Sequence, residues 1–104
     1  MLYFLNTAIL PNTGKYECKA ISLEEAINIW KNANEKLSAI GHSATVQVLN
    51  ELGFDLKENR VAITMEQGDG ALIFKLKQRL PEGKILSKSE IEDIGYEFWF
   101  LFRI

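Results

Sequence analysis

The chain has almost none of the residues that build covalently linked or metal-stabilised folds. Its 104 residues include one cysteine, Cys18, and one histidine, His42. A single cysteine excludes an internal disulfide, and one Cys with one His cannot supply the ligands of a structural zinc site. Packing must therefore stabilise the fold, and we expect no metal and no other cofactor.

An excess of positive charge and a long apolar run are also missing. The 12 Lys and Arg residues against 14 Asp and Glu residues give a formal net charge of -2. The chain thus lacks the overall basic field of a protein that binds long nucleic acids. The apolar start at residues 1–5 has no basic leader, and Asn6 interrupts it well short of a signal peptide or membrane span. We expect a cytoplasmic protein without a membrane partner.

The composition that is present is that of one small globular domain, residues 1–104, with 47% hydrophobic and 25% charged residues. A domain of this size buries only about 60 to 65% of the surface of its unfolded chain. Because association would add buried surface, a homodimer is expected.

Apolar patterns predict strands in five places. The continuous run Leu2–Leu5 indicates a central first strand, and Cys18, in a weaker alternation, is expected to be a buried thiol. Two alternating runs flank a glycine-rich turn at residues 67–70, which predicts a β-hairpin. The strands are expected at residues 2–5, 16–20, 61–65, 71–79 and 96–104.

Helix signals separate these strands. Ser22 with Glu25 and Ser87 with Glu90 match the capping box, in which both side chains satisfy free N–H groups at a helix start. The apolar spacing predicts helices that end near residues 34 and 94, and a third at about residues 44–52. The fold class is therefore α+β, a single mixed sheet of about five strands with two to three flanking helices.

His42 is the side chain whose ordinary pKa is closest to neutral pH. It lies in a loop rich in glycine and hydroxyl groups at a predicted helix start, where backbone N–H groups favour an anion such as phosphate. The alternative is a solvent-exposed or capping histidine without a chemical role.

Three cations, Lys75, Lys77 and Arg79, alternate along the predicted strand that ends the hairpin. They would project together and bind phosphates, or they would only keep the strand soluble. Arg79 precedes a tight loop that contains Glu82. Together His42, Arg79 and Glu82 match the needs of metal-free RNA cleavage, with an imidazolium acid, a cation at phosphorus and an orienting carboxylate. The alternative is three unrelated surface side chains.

Four segments carry a family resemblance. Their order and spacing along nearly the whole chain resemble the viral ring nuclease or anti-CRISPR family of archaeal viruses and bacterial mobile elements. The segments are Phe4–Ala8, Ile40–Thr45, Lys57–Val61 and Gln78–Ser87.

The resemblance implies a homodimer that binds cyclic tetra-adenylate, the second messenger of type III CRISPR complexes, and cleaves it without metal to linear di-adenylates with 2′,3′-cyclic phosphate ends. By motif position, the general acid would be His42, the transition-state cation Arg79 and the orienting residue Glu82. The expected ligand contacts are Asn6, Arg60, Lys75 and Gln78.

Two other classes of function stay open. The chain would be a binding module that sequesters a cyclic nucleotide or a protein partner without turnover. Alternatively, it would be a structural protein of a mobile element whose aromatic last strand contacts a partner.

Overall fold

The computed structural model describes residues 1–7, 12–78 and 86–104, which form one mixed five-stranded sheet and three helices. The strands are β1 (Leu2–Leu5), β2 (Tyr16–Ile21), β3 (Lys36–Ser38), β4 (Gly70–Leu76) and β5 (Tyr96–Arg103). The helices are α1 (Leu23–Asn32), α2 (Ser43–Glu51) and α3 (Lys88–Ile94). This confirms the α+β class with a single mixed sheet.

The strand order is β2-β5-β4-β1-β3. β1 runs parallel to both β3 and β4, whereas β5 runs antiparallel to its neighbours β4 and β2. The carboxyl ends of β1, β3 and β4 therefore meet at one edge of the sheet, which we call the carboxyl edge.

Capping boxes begin α1 and α3 as the sequence predicts. Ser22 Oγ accepts the N–H of Glu25 at 3.1 Å, and Glu25 Oε1 accepts the N–H of Ser22 at 3.2 Å. The same exchange joins Ser87 and Glu90 at 3.3 Å in both directions. A carboxylate thus already occupies the positive end of each of these helices.

The main core lies between the helices and one face of the sheet. Phe4 is fully buried and packs edge-to-face on Trp30 and Phe54, with ring centroids 5.2 and 5.0 Å apart. Trp30, on the apolar stripe of α1, is 8% exposed and belongs to this core. On β5, Phe98 packs on Phe74 at 5.1 Å, and the neighbouring aromatic residues Tyr96 and Phe100 also pack against this core.

The predicted hairpin is wrong. Residues 61–65 form no strand and cover the face of the sheet opposite the helices, where Met65 is buried against Leu5, Ile73 and Leu101. The reason is that β1 and β5 already pair with the two edges of β4, so no edge is left for a hairpin partner. The predicted turn before β4 is present, and in it the N–H of Asp69 donates to the Glu66 carbonyl at 3.0 Å. The segment that precedes this turn, however, is irregular and not a strand.

Two further expectations need correction. The fifth strand is β3, three residues without a clear apolar pattern, which forms because its backbone pairs with β1. Cys18 is exposed, not buried. Its strand, β2, is the last in the sheet order, and four of its six residues are exposed, since among the described strands only β5 pairs with it.

Candidate functional site

Three connections meet at the carboxyl edge of the sheet. Asn6 follows β1 directly, His42 comes four residues after β3, and Gln78 comes two residues after β4. All three residues are exposed. In sheets with parallel strands, ligands bind outside the carboxyl ends of the strands. The fold therefore brings three of the residues predicted from sequence to one edge.

His42 is the N-cap of α2. Its Nδ1 accepts the N–H of Thr45 at 3.4 Å and lies 3.0 Å from Thr45 Oγ1. The capping interpretation of His42 is therefore confirmed as a structural fact. It does not exclude chemistry, because the cap uses only one of the two ring nitrogens.

The cap determines which nitrogen of His42 can act on a ligand. Because Nδ1 accepts an N–H, the proton of the neutral ring is assigned to Nε2. When the ring is protonated, Nδ1–H can donate to Thr45 Oγ1, whose hydroxyl is able to accept or to donate. In both states Nε2 carries a proton and points away from the cap.

The start of α2 has no carboxylate of its own. No acidic residue lies in its first turn, in contrast to α1 and α3. The N–H of Thr45 goes to His42 Nδ1 and that of Val46 goes to the His42 carbonyl at 3.2 Å. The N–H groups of Ser43 and Ala44, the first two of the helix, are placed to bind an anion beside the imidazole.

Arg60 is held beside Gly41, the residue before His42, by its neighbour Asn59. The N–H of Asn59 donates to the Ile40 carbonyl at 2.8 Å, and its Nδ2 donates to the Ser38 carbonyl at 2.7 Å. These two hydrogen bonds attach Asn59, the residue before Arg60, to the segment that leads from β3 to His42.

Gly41 allows this close approach. A Cβ added at Gly41 would lie 2.8 Å from Arg60 Cβ and 3.0 Å from its Cα. A side chain at Gly41 would therefore separate the two segments that carry His42 and Arg60.

Lys75 on β4 and Lys77, the residue that follows the strand, contact β5 and Gly95, the residue before it. Lys75 Nζ lies 5.8 Å from the centre of the Trp99 ring, on the sheet face opposite the helices. The N–H of Lys77 donates to the Gly95 carbonyl at 3.0 Å, and its aliphatic chain passes close to Gly95. A ligand role for Lys75 would therefore be at the far side of the sheet from α2.

Arg79 and Glu82 lie outside the described residues, so their place relative to His42 stays a prediction. Sequence reasoning missed two polar residues of this edge, Thr45 and Asn59. Both lie within the motif segments, Thr45 three residues after His42 and Asn59 directly before Arg60. The spacing from His42 could have identified Thr45, because the N–H group that binds an N-cap side chain is commonly that of the third helical residue.

A groove of about 750 Å³ runs beside β3 toward this edge. Trp30 and Leu37 line its apolar wall, and Asn59 lies at its rim. Its three lysines, Lys31, Lys36 and Lys57, are accompanied by Asp55 and Glu58. The charges partly cancel, so the groove has no strong preference for an anion.

In the described part of the chain, no three His, Cys, Asp or Glu side chains group closely enough to hold a metal ion. Within the same residues, no helix has the length and apolar character needed to span a membrane.

This architecture matches known viral proteins. Uncharacterized protein 26 of Sulfolobus islandicus filamentous virus (isolate Iceland/Hveragerdi) is 40% identical, across 100% of this chain and 92% of its own length. Uncharacterized protein ORF117 of Acidianus two-tailed virus is 37% identical, with 100% and 94% covered. The structure of B116 of Sulfolobus turreted icosahedral virus superposes with a TM-score of 0.85 at 28% identity and covers 98% of each chain.

The STIV B116-like family model matches residues 2–98. The chain therefore belongs to the STIV B116-like family, which confirms the family recognised from its four motif segments.

Proposed function

We propose that this protein is a metal-independent ring nuclease. It would cleave cyclic tetra-adenylate to linear di-adenylates with 2′,3′-cyclic phosphate ends, and so antagonise type III CRISPR signalling in the cytoplasm. The observation that carries the proposal is the arrangement at the start of α2. There, His42 Nδ1 is engaged by Thr45, and Nε2 has no hydrogen-bond partner among the described residues. Two backbone N–H groups that suit a phosphate lie beside it.

The reaction needs a group that protonates a leaving alkoxide. The ribose 2′-oxygen attacks its own phosphate, a new O2′–P bond forms, and the P–O5′ bond breaks. His42 Nε2–H would give its proton to the departing 5′-oxygen, while the 2′-hydroxyl proton passes to water. General acid catalysis of this kind contributes about 10²- to 10⁴-fold.

The remaining roles follow the family motif. Arg79 would neutralise charge on the five-coordinate phosphorus, and Glu82 would orient its neighbours. Arg60, held beside Gly41, and Gln78 at the end of β4 would contact the ring phosphates, together with Asn6. Lys75 would take part only if the ligand reaches the opposite face of the sheet, where Trp99 lies.

A homodimer suits the symmetry of the ligand. A ring of four phosphates is compatible with two-fold symmetry, so two copies of this chain would each place one His42 at opposite sides of the ring. Two cuts would then give two di-adenylates. Local cations from both chains would compensate the four negative charges despite the net charge of -2 per chain.

The test is incubation of purified protein with cyclic tetra-adenylate in EDTA, with products resolved by chromatography and mass. We expect di-adenylate with a cyclic phosphate end. His42→Ala should slow cleavage by about 10²-fold or more while ring binding changes little.

The matched control is Gln47→Ala, because Gln47 is an exposed side chain of α2 five residues after His42. It should cleave like the unmodified chain. An intact ring after hours at excess enzyme would overturn the nuclease assignment, and full activity of His42→Ala would remove His42 from the mechanism.

A second candidate is a binding module that sequesters the ring without turnover. The hydrogen bonds of His42 to Thr45 favour it, because they give the histidine a structural reason to be at this position. Tight binding of cyclic tetra-adenylate with an intact ring, equal in His42→Ala and the unmodified chain, would support this function instead.

A further inference from the structure

The outer edge of β2 lies at the end of the sheet remote from β3, and it presents charged side chains and backbone groups. β2 is the last strand in the order, and β5 is its one partner among the described residues. Glu17, Cys18 and Lys19 at its centre are exposed. An exposed strand edge presents unpaired backbone groups to other chains.

The backbone groups that point outward can be assigned. The N–H of Ile104 donates to the Lys15 carbonyl at 2.9 Å, so the backbone of Lys15 faces β5. Backbone groups alternate sides along a strand. Those of Glu17 and Lys19 therefore also face β5, and those of Tyr16, Cys18 and Ala20 face away from the sheet.

We propose that two copies of this chain pair antiparallel through β2, with a two-fold axis at Cys18, and join two five-stranded sheets into one. Cys18 would then lie opposite Cys18 of the second copy, as a hydrogen-bonded pair. Tyr16 would lie opposite Ala20, so that a large side chain meets a small one.

The order of charges excludes two of the neighbouring registers. With the axis at Cys18, Glu17 lies opposite Lys19 of the second copy on both sides of the axis. These are non-hydrogen-bonded pairs, in which the side chains come closest. An axis at Glu17 would oppose Glu17 to itself and Lys15 to Lys19, and an axis at Lys19 would oppose Lys19 to itself. Charges on an edge strand ordinarily block pairing, but here they block only the axes at Glu17 and Lys19. An axis at Tyr16 would oppose Lys15 to Glu17 and is as compatible with charge as the axis at Cys18. Only the axis at Cys18 brings the two thiols opposite each other, so cross-linking of Cys18 distinguishes the two registers.

An apolar surface continues the interface on the helix side of the sheet. A groove of about 630 Å³ is lined by Glu17, Lys19, Ile29, Phe100 and Phe102, together with Cys18. Phe102 is 38% exposed. The added strand would cover the open side of this groove with the aliphatic parts of its own Glu17 and Lys19.

This surface is separate from the candidate site. Because β2 and β4 are both antiparallel to β5, β2 runs in the same direction as β4 and β1. Antiparallel pairing therefore turns the carboxyl edges of the two copies to opposite ends of the joined sheet. This contact is therefore different from the two-fold contact that would hold one ring between two His42 side chains. It does not depend on the proposed nuclease activity, and each site stays open for a ring and a further copy.

Oxidative cross-linking tests the register with the native cysteine. In a hydrogen-bonded antiparallel pair the Cα atoms are about 5.5 Å apart, within the range that a disulfide bridges. Treatment with copper-phenanthroline should convert the protein to a species of twice 11.9 kDa on a non-reducing gel.

The matched control moves the thiol by two residues, in Cys18→Ser with Ala20→Cys. This cysteine is on the same face of the same exposed strand. In the proposed register, the two copies of residue 20 are about 13 Å apart along the strand. The control should therefore cross-link at least about tenfold more slowly than the native chain.

Charge reversal tests the Glu17–Lys19 pairs by analytical ultracentrifugation. Glu17→Lys and Lys19→Glu should each weaken association by about tenfold, and the double variant should restore it. Circular dichroism checks that each variant is folded. Equal cross-linking of the native and moved cysteines, or no loss of association in the single variants, or no restoration in the double variant, would overturn the proposal.

Discussion

At the scale of the residue, His42 combines two tasks in one ring. Nδ1 caps the N-terminus of α2, and in the proposed function Nε2–H would act on the ligand. Thr45 links the tasks, because its N–H and its hydroxyl both lie within reach of Nδ1. Thr45 is 7% exposed, so its side chain cannot readily turn away. It is therefore a positioning residue for His42.

Replacing Thr45 by valine keeps the shape and removes the hydroxyl. Since one hydrogen bond contributes about 0.5 to 1.5 kcal/mol, Thr45→Val should lower kcat of ring cleavage about two- to tenfold with little change in KM. Thr45→Ser, which keeps the hydroxyl, should recover most of the rate. A loss of activity in Thr45→Ser equal to that in Thr45→Val would show that the hydroxyl does not position His42.

The sequence allowed His42 to be identified as the candidate acid and placed it at a helix start. It did not identify Thr45 or Asn59, because their roles depend on hydrogen bonds whose partners are fixed by the fold. Asn59 donates to the carbonyl of Ser38, 21 positions earlier in the chain. No local pattern encodes such a pair.

At the scale of the element, residues 61–66 lie across the sheet without belonging to it. Asn12 anchors this segment: its Nδ2 donates to the Met65 carbonyl at 3.0 Å, and its Oδ1 accepts the N–H of Met65 at 2.8 Å. One side-chain amide thus supplies the two bonds that a strand partner would have supplied.

Asn12→Ala should therefore lower the free energy of unfolding by about 1 to 3 kcal/mol, because it leaves two polar groups of Met65 unpaired. Urea denaturation measures the change. Asn12→Asp, which keeps the acceptor but not the donor, should lie between Asn12→Ala and the unmodified chain. Thr13→Ala, at an exposed side chain next along the chain, is the control and should change the stability little. Equal stabilities of Asn12→Ala and Thr13→Ala would contradict this account of the segment.

Whether a helix or strand was predicted correctly depends on how close in the chain the residues that determine it lie. The capping boxes at Ser22 and Ser87 depend on residues three apart, and both helices begin where predicted. The alternation at residues 61–65 indicates that alternate side chains are buried, and Met65 and Ile63 do pack inward. Alternation does not say whether the backbone has a strand to pair with.

At the scale of the whole molecule, two tyrosines make the free energy of unfolding depend on pH in the alkaline range. Burial raises the pKa of Tyr3 above its ordinary value of 10.0, and the carboxylates of Asp69 and Glu66 raise it further. Burial and, to a lesser extent, Glu92 raise the pKa of Tyr96. The folded protein therefore holds both phenol protons more tightly than the unfolded chain does.

The sign of the effect is fixed by these raised values. The contribution of the two protonated tyrosines to the free energy of unfolding is fully present below pH 10.0. It is lost as the pH rises through their higher pKa values in the folded state. Tyr3→Phe should make the decline of the unfolding free energy above pH 10.0 less steep, as measured by urea denaturation over a series of alkaline buffers. A decline with the same slope in Tyr3→Phe and the unmodified chain would contradict the assignment to Tyr3.

The family and the helix starts were determined by the sequence itself, because motif order and capping depend on residues close together in the chain. The α+β class followed from the periods of the apolar residues. The tertiary structure alone decided which segments pair in the sheet. A strand has two edges, and only the assembled fold shows that β1 and β5 occupy both edges of β4, which leaves residues 61–65 to cover a face of the sheet. It also shows that, among the described strands, β2 pairs with β5 alone.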